Sequence, residues 1–254
     1  MKDKILKIYH FLLDDTSYYA ASLSFFTIFS ILPLIALLIS TLSYLPDFKS
    51  HLDLLMFYIM DFVNPTHSQS LAIQIDKFLT NTDKLGDIGI FYLLFVFTMF
   101  FRDYEHVVNQ IFGTPTRPIY KLFFMYIGFM LLIPILFVLF VFLSTLAKFS
   151  FSAQILAFLF VWIIFILLFL LSANTYISFK AAAISSFFTI AILTIVKSWF
   201  GFYVMSNSTY ATIYGSFSVA LFFFLWIYIS WNIYLLGIKL CNLINKSGST
   251  DDTK

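Results

Sequence analysis

The chain has 254 residues, of which 61% are hydrophobic and 11% are charged, and its formal net charge is +2. Soluble domains are about 45–50% apolar and about 25% charged, so this composition excludes an ordinary soluble globular domain and a disordered chain. It predicts an all-α, polytopic membrane helix bundle in contact with the lipid bilayer. The net charge is too small to indicate binding to a nucleic acid, so we predict no nucleic-acid partner.

Two helices are predicted in the first 45 residues. Residues 2–14 carry apolar side chains at helical spacing with the lysines off that face, which is typical of an interfacial helix on the membrane surface. The uncharged run of 31 residues from Thr16 to Pro46 then exceeds the roughly 20 residues that a helix needs to cross a bilayer. We place the first span at about 19–45, with a kink at Pro33, which lacks the backbone N–H of a helix bond.

The external segment 46–86 connects the first two spans, and its sequence predicts two short helices. An apolar stripe at i, i+4, i+7 and i+8 begins at Leu71, and the stretch from Leu52 to Val63 is more apolar still. We therefore expect amphipathic helices that pack on the outer rim of the bundle.

Five further spans are predicted after this connection. Charged residues interrupt the apolar runs, and the polar stretch from Ser206 to Ser216 divides the longest run into two helices. Pro134 should kink the third span as Pro33 kinks the first. No second domain is indicated, so residues 1–254 are predicted to form one membrane domain. The five spans lie at about 87–110, 122–147, 154–173, 182–205 and 217–240.

The distribution of Lys and Arg orients the six predicted spans, because cytoplasmic connections carry an excess of these residues. With both termini in the cytoplasm, ten of the 15 Lys and Arg residues lie inside, four lie outside, and Lys197 lies within a span. The opposite orientation would invert this bias. The sequence therefore predicts that both termini are cytoplasmic.

The second span cannot be completed without charged residues. Its uncharged run, 88–101, covers about 21 Å of helix, against roughly 30 Å of hydrocarbon. The helix must continue, and one face of the continuation groups four polar side chains within about 100°. They either form a salt-bridged helix end in the cytoplasm or line a cavity open to it. The four are Arg102, Glu105, His106 and Asn109.

Lys197 is a second intramembrane charge, because the fifth span cannot reach full length without it. Its ammonium group either snorkels outward toward the membrane–water interface or faces inward in a polar cavity. In a cavity it needs an acceptor or a ligand anion, and Tyr203, Tyr214 and the carbonyls near Gly201 are the candidates at a similar depth.

Residues suited to catalysis or to holding a cofactor are not grouped in this sequence. The four histidines are scattered, and no HExxH, P-loop or GxSxG pattern occurs. Cys241 is the single cysteine, so no cysteine-based metal site or redox pair is indicated. We therefore predict that the protein is not an enzyme and has no metal and no cofactor.

Three stretches together resemble the YihY / virulence factor BrkB family. Residues 20–34, AASLSFFTIFSILPL, resemble the opening span of that family, and residues 109–113, NQIFG, are similar to the element that closes its second span. Tyr214-Gly215-Ser216, followed by LWIYIS at 225–230 and LLG at 235–237, resembles the family's ending.

The resemblance implies six spans in the bacterial inner membrane and a proposed role in envelope or lipid transport. Members of the family have also been labelled ribonuclease BN, which the residues of this chain do not support. Two positions depart from the family's pattern. Lys239 stands where a Glu is common, and residues 180–183 replace a usual Pro-Gly before the fifth span.

Three classes of function are left open by the sequence. The first is a transporter or flippase-like protein for a lipid, an amphiphile or an anionic solute of the envelope. Lys197 and Arg102 would hold its anionic headgroup, with Glu105 and Asn109 orienting Arg102. The second is a non-transporting membrane scaffold or envelope-integrity factor. The third is an enzyme, the ribonuclease included, which would depend on Asp103 and Glu105.

Overall fold

The computed structural model describes residues 16–42, 57, 60–62, 64, 69–80, 86–146, 150–206 and 217–251, and none of these residues is in a strand. The predicted helix at 2–14 lies outside the described residues, as does most of the predicted helix at 52–63. Seven described helices have defined bounds. They are α1 Thr16–Leu42, α2 Gln69–Thr80, α3 Gly86–Phe112, α4 Ile119–Leu146, α5 Ser150–Ser172, α6 Phe179–Ser206 and α7 Phe217–Asp251.

Four of the described helices are long and apolar enough to cross a membrane. The qualifying stretches lie in α4 to α7, at Ile119–Phe137, Ile155–Ser172, Phe179–Ser206 and Phe217–Ser247. Helices α1 and α3, of 27 residues each, coincide in position with the predicted first and second spans. The total of six spans, the cytoplasmic termini and the external location of α2 stay predictions.

Helix boundaries depart from the prediction chiefly in α7, which continues to Asp251 instead of ending near 240. The extension is held in place because Cys241 and Asn242 are buried. The Asn242 side chain donates to the carbonyl of Ile111 at 2.8 Å, which joins the end of α7 to the end of α3. Helix α1 is continuous through Pro33, and helix α4 is continuous through Pro134. A bend at either proline stays a prediction.

Helix α7 is central to the bundle, where it packs against α6, α1 and α3, and α5 packs between α4 and α6. Trp226, Leu235 and Ile238 of α7 are among the fully buried side chains. Large apolar side chains such as Phe91 and Phe124 are instead exposed on the outside of the bundle. In a membrane, this outer surface faces lipid tails, which are as apolar as the side chains.

Helices α6 and α7 are in close contact at Gly237. A Cβ atom at this position would lie 1.9 Å from Oγ1 of Thr189 and 3.2 Å from Cζ of Phe169. Small residues at membrane helix interfaces permit this kind of backbone approach. Gly237 is therefore required for the packing of α6 on α7.

A glycine also ends α3. Gly113 has a φ of 72°, in the left-handed region, and its N–H donates to the carbonyl of Gln110. The N–H of Thr114 donates to the carbonyl of Asn109, which completes a Schellman motif. This motif turns the chain into the connection 113–118, which carries Arg117 back toward the end of α3.

Candidate functional site

A cavity of about 340 Å³ lies among α4, α5, α6 and α7, and we call it the Lys197 cavity. Its walls are mainly apolar side chains, with Lys197 of α6 and Asp61 of the segment 60–62 at its edge. Phe158 and Val161 of α5 line it and are each more than a third exposed, so this part of the lining lies on the outside of the bundle.

Lys197 donates from Nζ to Oδ2 of Asp61, and the two side chains are 26% and 40% exposed. The acceptor is thus an acid of the long connection between the first two spans, which the sequence did not indicate. Tyr203 is exposed on the surface of α6 and does not line this cavity. Tyr214 lies outside the described residues. Lys197 lies at the edge of this mainly apolar cavity, and the choice between snorkelling and a role in a polar cavity stays a prediction.

The segment 60–62 is also attached to α7. Trp226 donates from Nε1 to the carbonyl of Phe62 at 2.9 Å, and the two rings are 6.2 Å apart. The Trp226 ring also stacks on Phe200 of α6, with 5.5 Å between the ring centroids. Asp61 and Phe62 are therefore held by α6 and α7 through one ion pair, one hydrogen bond and one ring contact.

A second cavity, of about 320 Å³, adjoins the first, and we call it the tyrosine cavity. Phe62, Phe165 and Leu193 line both cavities, so these three side chains form the wall between them. Tyr104 of α3 and Tyr234 of α7 line the tyrosine cavity, and their hydroxyl oxygens are 2.5 Å apart.

Most polar atoms around the tyrosine cavity are already bonded. Ser230 donates to the carbonyl of Trp226, Thr27 donates to that of Leu23, and Trp231 donates to Thr27 Oγ1 at 2.8 Å. The cavity is therefore apolar in character despite its hydroxyl groups. Nearby, the buried hydroxyl of Tyr126 has no hydrogen-bond partner among the described residues, and its ring stacks on Phe101 at 4.0 Å.

A buried ion pair joins the end of α3 to the connection 113–118. Glu105 is fully buried, and its carboxylate accepts from the backbone N–H of Arg117 at 2.6 Å and from Nη1 at 3.4 Å. The guanidinium group also donates to the carbonyl of Leu171 at 3.1 Å and to that of Ala173. We call this group of contacts the Glu105–Arg117 cluster.

Asn109, one turn after Glu105, extends the cluster to two connections. Its Oδ1 accepts from Thr114 Oγ1 at 2.6 Å and from the backbone N–H of Asn174 at 2.7 Å. The Asn174 side chain in turn donates to the carbonyl of Pro115 at 2.9 Å. The connections after α3 and after α5 are thus tied together across this end of the bundle.

The four polar residues predicted on one face of the second span divide into two pairs. Glu105 and Asn109 are buried, whereas Arg102 and His106 are exposed. The expectation that Glu105 and Asn109 orient Arg102 is wrong, because they bind Arg117 and the adjacent connections instead. The partners of Glu105 and Lys197 are Arg117 and Asp61, which lie outside α3 and α6. Helical spacing relates only residues of the same helix, so it could not predict these partners. A functional role for Arg102 and His106 stays a prediction.

The family profile described as virulence factor BrkB matches residues 8–254. The chain belongs to the virulence factor BrkB family. A UPF0761 membrane protein of Aggregatibacter aphrophilus is 29% identical over 89% of this chain and 85% of its own. One of Haemophilus influenzae is 27% identical over 90% of both chains. A third, of Kangiella koreensis, is 26% identical over 89% of this chain but 59% of its own. No solved structure matches.

Membership in the BrkB family agrees with the described helices. The relatives are named as membrane proteins, and the described part of this chain contains several helices able to span a bilayer. The protein is an integral membrane protein. The names of the relatives state no substrate and no reaction.

Proposed function

We propose that this BrkB-family protein is a transporter or flippase-like protein that moves a lipid or another amphiphile across the bacterial inner membrane. The observation that carries the proposal is the pair of adjoining apolar cavities, which end at a single ion pair, Lys197–Asp61. An amphiphile matches this arrangement, because its apolar chain would fit the apolar cavities and its polar headgroup would fit the ion pair.

The size and lining of the cavities support the binding of a small ligand. Each cavity lies at the lower end of the roughly 300–1,000 Å³ that is typical of ligand sites, and such sites are mostly apolar with few polar groups. The exposure of the lining residues Phe158 and Val161 on the outside of α5 supports entry from the bilayer rather than from water.

The two ends of the bundle suggest how a pathway could be gated. The Glu105–Arg117 cluster closes one end with buried hydrogen bonds, and the tyrosine cavity reaches Tyr104, the residue next to Glu105. Alternating access would require the closed end to open, as repeats or bundles rock around a central site in other transporters. The described state would then be closed at this end.

We also propose that the protein acts without catalysis, metal or cofactor. In the part of the chain that the structure describes, no three His, Cys, Asp or Glu side chains group closely enough to hold a metal ion. The Glu105 carboxylate, which the enzyme alternative would use, is bound by Arg117. RNA cleavage by the purified protein that requires Asp103 and Glu105 would contradict this part of the proposal.

Reconstitution tests the transport function directly. Purified protein is placed in vesicles of phosphatidylethanolamine and phosphatidylglycerol with a trace of fluorescent phosphatidylglycerol in the inner leaflet. We expect faster exposure of the label to an external quencher than in empty vesicles, and Lys197→Met should abolish the gain. Lys180→Met, which changes an exposed lysine of the same helix, is the matched control.

A negative result would favour the scaffold alternative. If no labelled lipid moves with or without a proton or sodium gradient, the transporter proposal fails. Retained activity in Lys197→Met would instead place the pathway away from the Lys197 cavity.

A further inference from the structure

We propose that Asp61 occupies the binding position of an anionic lipid headgroup, so that the ligand binds by displacing Asp61 from Lys197. This inference rests on the proposed function and names the class of substrate: an anionic membrane lipid, with its headgroup at Lys197 and an acyl chain in the two cavities. Asp61 serves as the internal counter-ion of the empty site.

The Lys197–Asp61 pair is exchangeable because it lies at the edge of the cavity. Both side chains are partly exposed, so the pair is less enclosed than the Glu105–Arg117 pair and a competing anion can reach it. The described contact of Asp61 is with one flexible lysine, whereas Glu105 is fully buried and accepts from both the backbone and the side chain of Arg117. A ligand anion can therefore compete for Lys197, and a lipid gains the burial of its chain in addition.

The remaining polar groups of the cavity explain why negative charge is the recognised property. Thr194 donates to the carbonyl of Ile190 at 2.9 Å, and Trp226 donates to the carbonyl of Phe62. Their protons are thus already used, and the Lys197 ammonium supplies the available donors of the lining. A lysine ammonium is a compact point charge rather than a shaped fork, so it selects charge more than headgroup structure.

Displacement of Asp61 would also reach the second cavity. Phe62 follows Asp61 in the chain, and its ring belongs to the wall that separates the Lys197 cavity from the tyrosine cavity. When the headgroup takes Lys197, the segment 60–62 retains the Trp226–Phe62 hydrogen bond but loses the ion pair. Movement of Phe62 would then join the two cavities into one site for the acyl chain.

Lipid binding in detergent tests the inference separately from transport. Phosphatidylglycerol with one fluorescent acyl chain is titrated with the full chain and followed by anisotropy, with identically labelled phosphatidylcholine as the reference. Because Asp61→Asn removes the competing anion, we expect it to tighten phosphatidylglycerol binding about two- to fivefold and to leave phosphatidylcholine binding unchanged.

Two further variants complete the cycle. Lys197→Met should remove the preference for phosphatidylglycerol, and adding Asp61→Asn to it should give no further gain. The inference is overturned if Asp61→Asn weakens phosphatidylglycerol binding, or if it changes both lipids equally. Displacement of the bound lipid by inorganic phosphate, beyond that by chloride at equal ionic strength, would also overturn it in favour of a free anion.

The two proposals fail in different ways. Lys197-dependent selection of phosphatidylglycerol without movement of lipid in vesicles would refute transport and retain the binding site. Movement of lipid with a headgroup preference that Asp61→Asn does not change would retain transport and refute the displacement of Asp61.

Discussion

Two ion pairs of the described bundle, Glu105–Arg117 and Lys197–Asp61, differ in how their partners are held. In the Glu105–Arg117 cluster the carboxylate is fully buried, and the guanidinium group binds two backbone carbonyls in addition. The Lys197–Asp61 pair is a single contact between two partly exposed side chains. The first pair joins connections of the fold through several buried contacts, whereas we propose that the second pair is exchangeable.

The largest expected effect is on the buried pair. Arg117→Met leaves the Glu105 carboxylate buried without its partner, and breaking one side of such a pair costs about 3–5 kcal/mol. We expect a large loss of thermal stability in detergent, measured by tryptophan fluorescence or circular dichroism. Arg102→Met, which removes an exposed arginine of α3, is the control and should stay within about 0.5 kcal/mol.

A smaller effect is expected where neither ion pair is involved. Gly237→Ala places a Cβ 1.9 Å from Thr189 Oγ1, and overpacking typically costs about 1–3 kcal/mol. Gly128→Ala is the matched control, because a Cβ there meets no atom within 4 Å. Adding Thr189→Ala should recover part of the loss. A stability change as large as that of Arg117→Met would show that helix packing, not the buried pair, limits the fold.

The hydrogen bond between Tyr104 of α3 and Tyr234 of α7 should contribute less again to stability. Tyr104→Phe and Tyr234→Phe each remove one partner of the 2.5 Å contact between their hydroxyl groups. Interhelical hydrogen bonds in membranes average about 0.6 kcal/mol, with a maximum of about 1.7 kcal/mol. A double-mutant cycle on thermal stability should give a coupling in this range. A coupling near zero would mean that the contact adds nothing to the fold.

How far the sequence predicted this molecule depends on the range of the interaction. Periodicity and apolar runs predicted the helices because those signals are local, and α6 begins at Phe179 near the predicted 182. The partners of Glu105 and Lys197 were not predictable, because Arg117 and Asp61 are 12 and 136 residues away from them along the chain. The α7 extension was missed because Asn242 is polar, and its burial depends on the Ile111 carbonyl.

The smallest expected effect on stability falls at the pair that matters most for the proposed function. Lys197→Met retains an unbranched side chain and removes the ammonium group, and the partner left behind, Asp61, is 40% exposed and can be solvated. Because this pair is less enclosed than the Glu105–Arg117 pair, thermal stability in detergent should fall by less than it does in Arg117→Met. Transport in vesicles should nevertheless be lost, since the cavity then has no cation for the headgroup. A variant that is as unstable as Arg117→Met would show that Lys197 holds the fold together, and the contrast between the two ion pairs would then disappear.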